Sequence, residues 1–252
     1  MLRFSLRAPE TRLVNVASRL LLFGASGAIG SAVAREAISQ GWRVFGVGRG
    51  AAPDPEAQPP EMQWLSYDPL RDNPEKLDGL APFDAVCWAQ GANMADKVGA
   101  FEADSHMALY QANCLSVMVS ADALVRRLLL REGGARLVVV SSIWQERARP
   151  AKLSYIVTKA AIGGFVRSAS VDLGSSGHLV NAVLPGVLDT PMTAASLSSE
   201  QIERIREKTP LHRLPDLASL VSTILFLCSQ ANTSISGQSI TVDLGMNNAC
   251  LL

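Results

Sequence analysis

The chain is poor in the residues that build metal sites and disulfide frameworks: its 252 residues include 4 cysteines and 3 histidines. Cys87, Cys114, Cys228 and Cys250 form no CxxC pair, and His106, His178 and His212 lie at no metal-ligand spacing from them or from one another. The expectation is reduced thiols, no bound metal and a cytoplasmic location. Three of the cysteines sit in apolar runs, where cysteine serves as a small buried hydrophobe. An excess of either charge is also missing. Lys+Arg and Asp+Glu both number 23, with no basic block and no interleaved aromatics, so there is no electrostatic footprint for nucleic acid or an anionic membrane. No run approaches the roughly 18 to 20 uninterrupted apolar residues of a membrane span. Residues 1–18 carry Arg3, Arg7 and Arg12 without the continuous apolar stretch of a secretory signal. They read as a disordered or edge-packing extension, or as the product of an early start codon. The partner left by these exclusions is a small molecule.

What is present is apolar and alternating. Hydrophobic residues make up 48% of the chain and charged residues 18%, enough to bury a large core. The length suits one α/β domain, here residues 19–252. Short runs of Val, Ile and Leu alternate with longer amphipathic stretches, the pattern of a doubly wound parallel sheet buried on both faces. Seven strands are predicted: Arg19–Ala25, Arg43–Gly48, Met62–Asp68, Ala85–Ala89, Arg136–Ser141, Leu179–Leu184 and Ser239–Val242. Helices are predicted near 28–41, 71–80, 102–131, 154–174, 199–208 and 215–230. The segment 51–60 holds four prolines in ten residues and reads as an exposed loop.

The first strand, RLLLFGA, runs into Gly24, Ala25, Ser26, Gly27, Ala28, Ile29 and Gly30, and then into a helical pattern. A helix N-terminus presents unpaired N–H groups and the positive end of the helix dipole, and missing side chains let a pyrophosphate approach. The strand–turn–helix context, more than the glycines, points to a Rossmann-type nucleotide site. At the end of the second strand, Gly48 stands where an NAD-preferring site would place a carboxylate, and Arg49 offers a fork-shaped cation to a 2′-phosphate. NADP(H) is therefore expected ahead of NAD(H); the bland alternative is an arginine solvated at a strand end.

Tyr155 and Lys159, four apart on a predicted helix, share a face. A phenol titrates near 10, so it exchanges protons at neutral pH only if a cation such as Lys159 stabilises its phenolate. That spacing alone arises readily by chance. Its company counts for more: Ser142 closes the strand LVVVSS, where a hydroxyl faces the ligand crevice of a parallel sheet. Asn113 lies within a long helical stretch, where its amide could hold a water relay, cap a distorted turn or stand as a polar bump.

These motifs together resemble the short-chain dehydrogenase/reductase family in its roughly 250-residue single-domain form, over residues 19–246. The family's TGxxxGxG turn appears as Phe23–Gly30, its serine segment as VVSS with Ser142, its YxxxK as Tyr155 and Lys159, and its asparagine as Asn113. Its NAxxPGxxxTxM segment appears as Asn181 to Met192. The resemblance implies hydride transfer between a nicotinamide and a carbonyl or alcohol carbon, a carbonyl reductase. It implies that Ser142 binds the substrate oxygen, Tyr155 exchanges its proton, Lys159 binds the nicotinamide ribose and lowers the tyrosine pKa, and Asn113 holds a water. It further assigns the glycine-rich turn with Gly24, Ser26, Ala28, Ile29 and Gly30 to the cofactor, the adenine amino group to Asp68, the nicotinamide carboxamide to Leu188 and Thr190 after Pro185-Gly186, and close approach to the cofactor to Ala89 and Gly91. A homotetramer or homodimer is implied, with Gly163 and Gly164 permitting close approach of two copies.

The chain departs from the pattern in places. Phe23 replaces Thr, Ala28 replaces the second glycine, and Trp88-Ala89-Gln90-Gly91 replaces NNAG, with Gln90 left to rebuild the lost support. Enoyl reductases of the superfamily place their tyrosine seven residues before the lysine; that place is Lys152 here. Larger epimerase and dehydratase relatives need a C-terminal substrate domain, for which fewer than 100 residues remain after Tyr155. A different class of reading is a non-catalytic NADP-binding sensor or scaffold. After Met192, Ser198 or Ser199 is placed to cap a short helix over Glu200–Lys208, as a lid or a plain cover. Trp144, Gln145, Arg147 and Arg149 are placed to touch substrate, the arginines suggesting a polar or anionic one or, equally, simple solvation.

Overall fold

The computed structural model describes residues 17–54, 58–191, 193 and 197–249. Most of the 1–18 extension, together with Met192 and Cys250, lies outside the described residues. Seven strands form one parallel sheet: β1 (Arg19–Phe23), β2 (Arg43–Gly48), β3 (Gln63–Ser66), β4 (Ala85–Trp88), β5 (Arg136–Val140), β6 (Leu179–Pro185) and β7 (Ser239–Val242). Their order is β3-β2-β1-β4-β5-β6-β7. The helices are α1 (Ala28–Ser39), α2 (Ala103–Tyr110), α3 (Ser116–Arg126), α4 (Leu153–Asp172), α5 (Ser199–Glu207) and α6 (Leu217–Cys228).

Because side chains alternate along a strand, each strand feeds two cores. Leu21, Phe23, Val86, Trp88, Leu137 and Val139 pack with Val117, Leu124, Ile162 and Val166 of α3 and α4. Their neighbours Leu20, Leu22, Ala85, Cys87, Val138 and Val140 pack with Val33 and Ala34 of α1 and with Leu220 and Ile224 of α6. Cys87, Cys114 and Cys228 are free and buried. The winding reverses between β1 and β4, and this opens a crevice beyond their carboxyl ends.

Several boundaries differ from expectation for local reasons. β1 stops at Phe23 because Gly24 turns the chain with φ +73°. The stretch near 71–80 is only a 3-10 helix, Pro74–Leu80, capped by the Asn73 side chain. The long helix ends at Arg126 rather than 131: Leu128 takes φ +54°, and Leu129 O and Arg131 N are bonded to Phe83 beside the sheet. The helical span Ala103–Arg126 is long and apolar enough to cross a membrane by length and composition, but half of its apolar window is buried inside this domain, which is how a core helix reads.

Candidate active site

The β1–α1 turn is pressed against the end of β4. A Cβ on Gly24 would lie 2.5 Å from Gln90 N and 2.7 Å from its Cα, so a side chain there is excluded by backbone as well as by φ. Gly27 N-caps α1 without a side chain, and no acidic residue stands in the first turn. Ser26, Gly27 and Ala28 are exposed, and Gly30 is buried under the turn. The first N–H groups of a helix have no intrahelical acceptor, so this end is open to an anion. Here the residues fit a dinucleotide's pyrophosphate, since neither a capping side chain nor a carboxylate competes for it.

At the end of β2, Arg49 is exposed. The reason for Gly48 is one the sequence reading missed: a Cβ there would lie 2.4 Å from the Trp64 ring, which packs over it and donates Nε1–H to Gly50 O at 3.2 Å. No short-range signal links positions 48 and 64; parallel pairing of β2 with β3 does so. Asp68 falls in the turn after β3, where its Oδ1 accepts from Leu70 N at 3.0 Å. The end of β4 brings Ala89 and Gly91 to the crevice, and a Cβ on Gly91 would touch Lys159 Nζ at 3.5 Å and Asn113 Oδ1 at 3.6 Å.

Asn113 sits in a π-turn, Gln111–Leu115, between α2 and α3. Its Oδ1 accepts from Ala92 N at 2.7 Å, and its Nδ2 donates to Ala92 O and to Thr158 Oγ1, both at 3.0 Å. The distorted turn is thus present, and the side chain clamps the segment after β4 onto α4. Both amide hydrogens are used by protein, which leaves carbonyl oxygen as what Asn113 could offer a water.

Helix α4 carries Tyr155 and Lys159 one turn apart. Its start is organised by Asp96, which accepts from Ser154 N at 2.9 Å and from the Ser154 hydroxyl; that hydroxyl is also 2.8 Å from His106 Nδ1. Asp96 and Ser154 were not singled out in the sequence, because 58 residues separate them. Lys159 is 4% exposed and donates to Val140 O at 3.2 Å, with Nζ 5.7 Å from the Tyr155 ring centroid. Burial lowers its pKa to about 8, partly opposed by Cys114. The Tyr155 phenol is pushed above its ordinary value by burial, and a hydrogen bond with Ser142 pulls the other way. The lowering assigned to Lys159 is therefore not seen in the chain alone, where the ammonium lies over the ring and its own charge is disfavoured.

Ile29, Ser142 and Tyr155 line a common cavity, as do Pro185, Gly186, Leu188 and Thr190. Of the four loop residues expected to touch substrate, Trp144 and Arg149 line this cavity. The other two do not: Gln145 donates to Ser239 Oγ at 2.8 Å, and Arg147 donates to Asn247 Oδ1 at 2.9 Å. Gln145 also abuts Gly163, so that glycine serves packing within the chain, whereas nothing lies within 4 Å of a Cβ on Gly164. Ser198 caps α5 in a reciprocal capping box with Gln201; no residue of that helix is buried.

The departures at Phe23 and Trp88 answer each other. The two residues pair directly in the β1–β4 register and stack at 5.9 Å with an 11° interplanar angle. Trp88 Nε1 then donates to Ser120 Oγ at 2.8 Å, tying β4 to α3. Gln90 adds only a 3.5 Å contact to Ser116 Oγ.

The family model described as enoyl-(acyl carrier protein) reductase matches residues 68–247, more than half of the chain. The 3-oxoacyl-(acyl-carrier-protein) reductase of Aquifex aeolicus is 29% identical over 246 residues, covering 95% of this chain and 92% of that protein. The gluconate 5-dehydrogenase of Gluconobacter oxydans is 28% identical over 243 residues, covering 91% of this chain and 94% of its own. Among solved structures, a gluconate 5-dehydrogenase from Burkholderia cenocepacia in complex with NADP and tartrate matches with TM-score 0.80 at 22% identity, over 92% of this chain and 96% of that one. By sequence, sheet order and length, the chain belongs to the short-chain dehydrogenase/reductase family of oxidoreductases.

Proposed function

We propose that the protein is an NADP(H)-dependent oxidoreductase that interconverts a carbonyl and an alcohol, with Tyr155 as the general acid/base. The observation that carries this reading is that Ser142 and Tyr155 line one cavity, which also reaches Ile29 of the glycine-rich turn, with the buried ammonium of Lys159 5.7 Å from the Tyr155 ring centroid. Gly24, Ser26, Ala28, Ile29 and Gly30 would hold the pyrophosphate, Arg49 the 2′-phosphate and Asp68 the adenine. Ala89 and Gly91 leave room for the nucleoside, Tyr155 and Lys159 face its ribose, and Pro185, Gly186, Leu188 and Thr190 enclose the nicotinamide end. When bound, the nicotinamide supplies or takes up the hydride.

Ser142 Oγ orients the substrate oxygen and shares the charge that develops on it. Tyr155 Oη delivers a proton to that oxygen in reduction and removes it in oxidation. A phenol whose pKa is raised by burial keeps its proton at neutral pH, which suits the reductive direction. Lys159, with a pKa of about 8, is largely protonated at pH 7 and stabilises phenolate as the proton leaves. Support for the reaction class comes from the curated relatives, a 3-oxoacyl reductase and a gluconate dehydrogenase. Support for NADP comes from exposed Arg49 and the missing carboxylate at Gly48. The test is NADPH oxidation across ketones, aldehydes, acyl thioesters and keto-sugars. Tyr155→Phe is expected to lower kcat/KM by roughly 10²–10⁴-fold, and an absence of any Tyr155-dependent signal overturns the reading.

A further inference from the structure

The cavity beside Tyr155 contains a second buried lysine with no role in the proton chemistry above. Lys152 is 6% exposed and lines the cavity together with Asn93, Trp144 and Arg149. Its ammonium donates to Asn93 Oδ1 at 2.7 Å and Met94 O at 3.0 Å, and it stands 5.9 Å from the centroid of the Tyr155 ring. Both acceptors are neutral, and an ammonium has three hydrogens to donate. Arg149 lies on the same wall, its guanidinium 5.6 Å from the Trp144 ring centroid, and its Nε is buried without a hydrogen-bond partner.

Neither cation belongs to an ion pair among the described residues. None of the described residues lining the cavity is acidic. Asp96 is the carboxylate that acts on Lys152 from outside the cavity, and both of its oxygens are taken by Ser154. Holding a cation away from water without a counter-ion is unfavourable, and buried Lys152 is held so with the charge of half-buried Arg149 close by. Burial and the Arg149 charge depress the Lys152 pKa, which is the electrostatic strain that a bound anion relieves. A cleft built this way is complementary to negative charge.

We propose that Lys152 and Arg149 form the anion-recognition end of the substrate cavity, and that the substrate is a small carbonyl or alcohol compound bearing a carboxylate or phosphate near the reacting carbon. This rests on the reading of the cavity as a carbonyl-reducing site. The oxygen to be reduced lies against Ser142 and Tyr155, and the anionic group lies against the two cations, so Lys152 and Arg149 fix which carbon faces the cofactor.

Two measurements separate this inference from the reading beneath it. In the first, the protein saturated with NADP+, so that nucleotide phosphates fill the glycine-rich turn, is titrated calorimetrically with malonate, inorganic phosphate and neutral malonamide. Malonate or phosphate binds and malonamide does not. Lys152→Met and Arg149→Gln each weaken that binding roughly tenfold or more, Lys152→Arg retains it, and Arg147→Ala, outside the cavity, leaves it unchanged. In the second, kcat/KM is compared for acetoacetate against methyl acetoacetate and for dihydroxyacetone phosphate against dihydroxyacetone; the anionic member of at least one pair is preferred tenfold or more, and Lys152→Met collapses the ratio. Which pair responds tells carboxylate from phosphate. Failure of the wild type to bind either anion, binding that survives both substitutions, or equal turnover of acid and ester overturns the inference. Anion binding that needs Lys152 and Arg149, with no Tyr155-dependent turnover of any carbonyl, sustains the anion site and overturns the oxidoreductase reading instead.

Discussion

Lys159 is buried, and its pKa falls from 10.5 to about 8. Between those values the unfolded chain keeps a proton that the folded chain has lost, so stability rises with pH across that window and the burial penalty is felt in full below it. The shift corresponds to a destabilisation on the order of 3 kcal/mol near neutrality. Lys159→Met without nucleotide is therefore expected to be more stable than wild type in urea at pH 7, with a gain that shrinks by pH 9.5; an equal gain at both pH values contradicts this. Arg49 is the matching case for the cofactor. Arg49→Ala is expected to raise the KM for NADPH roughly tenfold or more while leaving that for NADH nearly unchanged, in line with one charge-assisted contact. A change that is equal for both nucleotides assigns Arg49 to solvent.

At the scale of elements, the strongest local effect is a compensated pair. Phe23 and Trp88 each break the motif they resemble, yet they face each other across β1 and β4 and stack. A double-mutant cycle with Phe23→Thr and Trp88→Asn, read by urea denaturation, is expected to give a coupling of about 1 kcal/mol; strict additivity rules out the pairing. Neither departure could be understood from its own segment, because 65 residues of chain separate them. The π-turn at Gln111–Leu115 is similar. Asn113 hinted at a distorted helix, but only the approach of Ala92 and Thr158 shows what the distortion serves. The capping of α5, by contrast, is settled within four residues: the sequence left Ser198 and Ser199 as alternatives, and the structure places the cap at Ser198.

At the scale of the whole molecule, the outer faces of α3 and α4 stay apolar. Met118, Val119, Val157 and Val171 are exposed there, and Phe165 and Ala161 line a groove between the two helices. We propose that a second copy covers this surface, giving a homodimer or homotetramer. Light scattering at micromolar concentration is expected to show the oligomer, and Phe165→Asp to dissociate it; a wild-type monomer refutes the proposal. Gly164, open on that face, can admit a neighbour, whereas Gly163 is already packed against Gln145.

The sequence by itself determined the doubly wound sheet, its seven strands and the glycine-rich turn, since these rest on periodicity and turn chemistry that act within one or two turns of chain; the Asn113–Ser142–Tyr155–Lys159 set was legible only through the resemblance of several motifs, in one order, to a family. Tertiary structure alone decided the partners: Trp64 over Gly48, Asp96 under the start of α4, Lys152 and Arg149 on one cavity wall, and Gln145 and Arg147 turned away from it. Each of these depends on which loops the parallel sheet brings to the same edge. Parallel strands are joined by long crossovers, so the residues that meet at their carboxyl ends are distant in sequence, and no local pattern records the encounter.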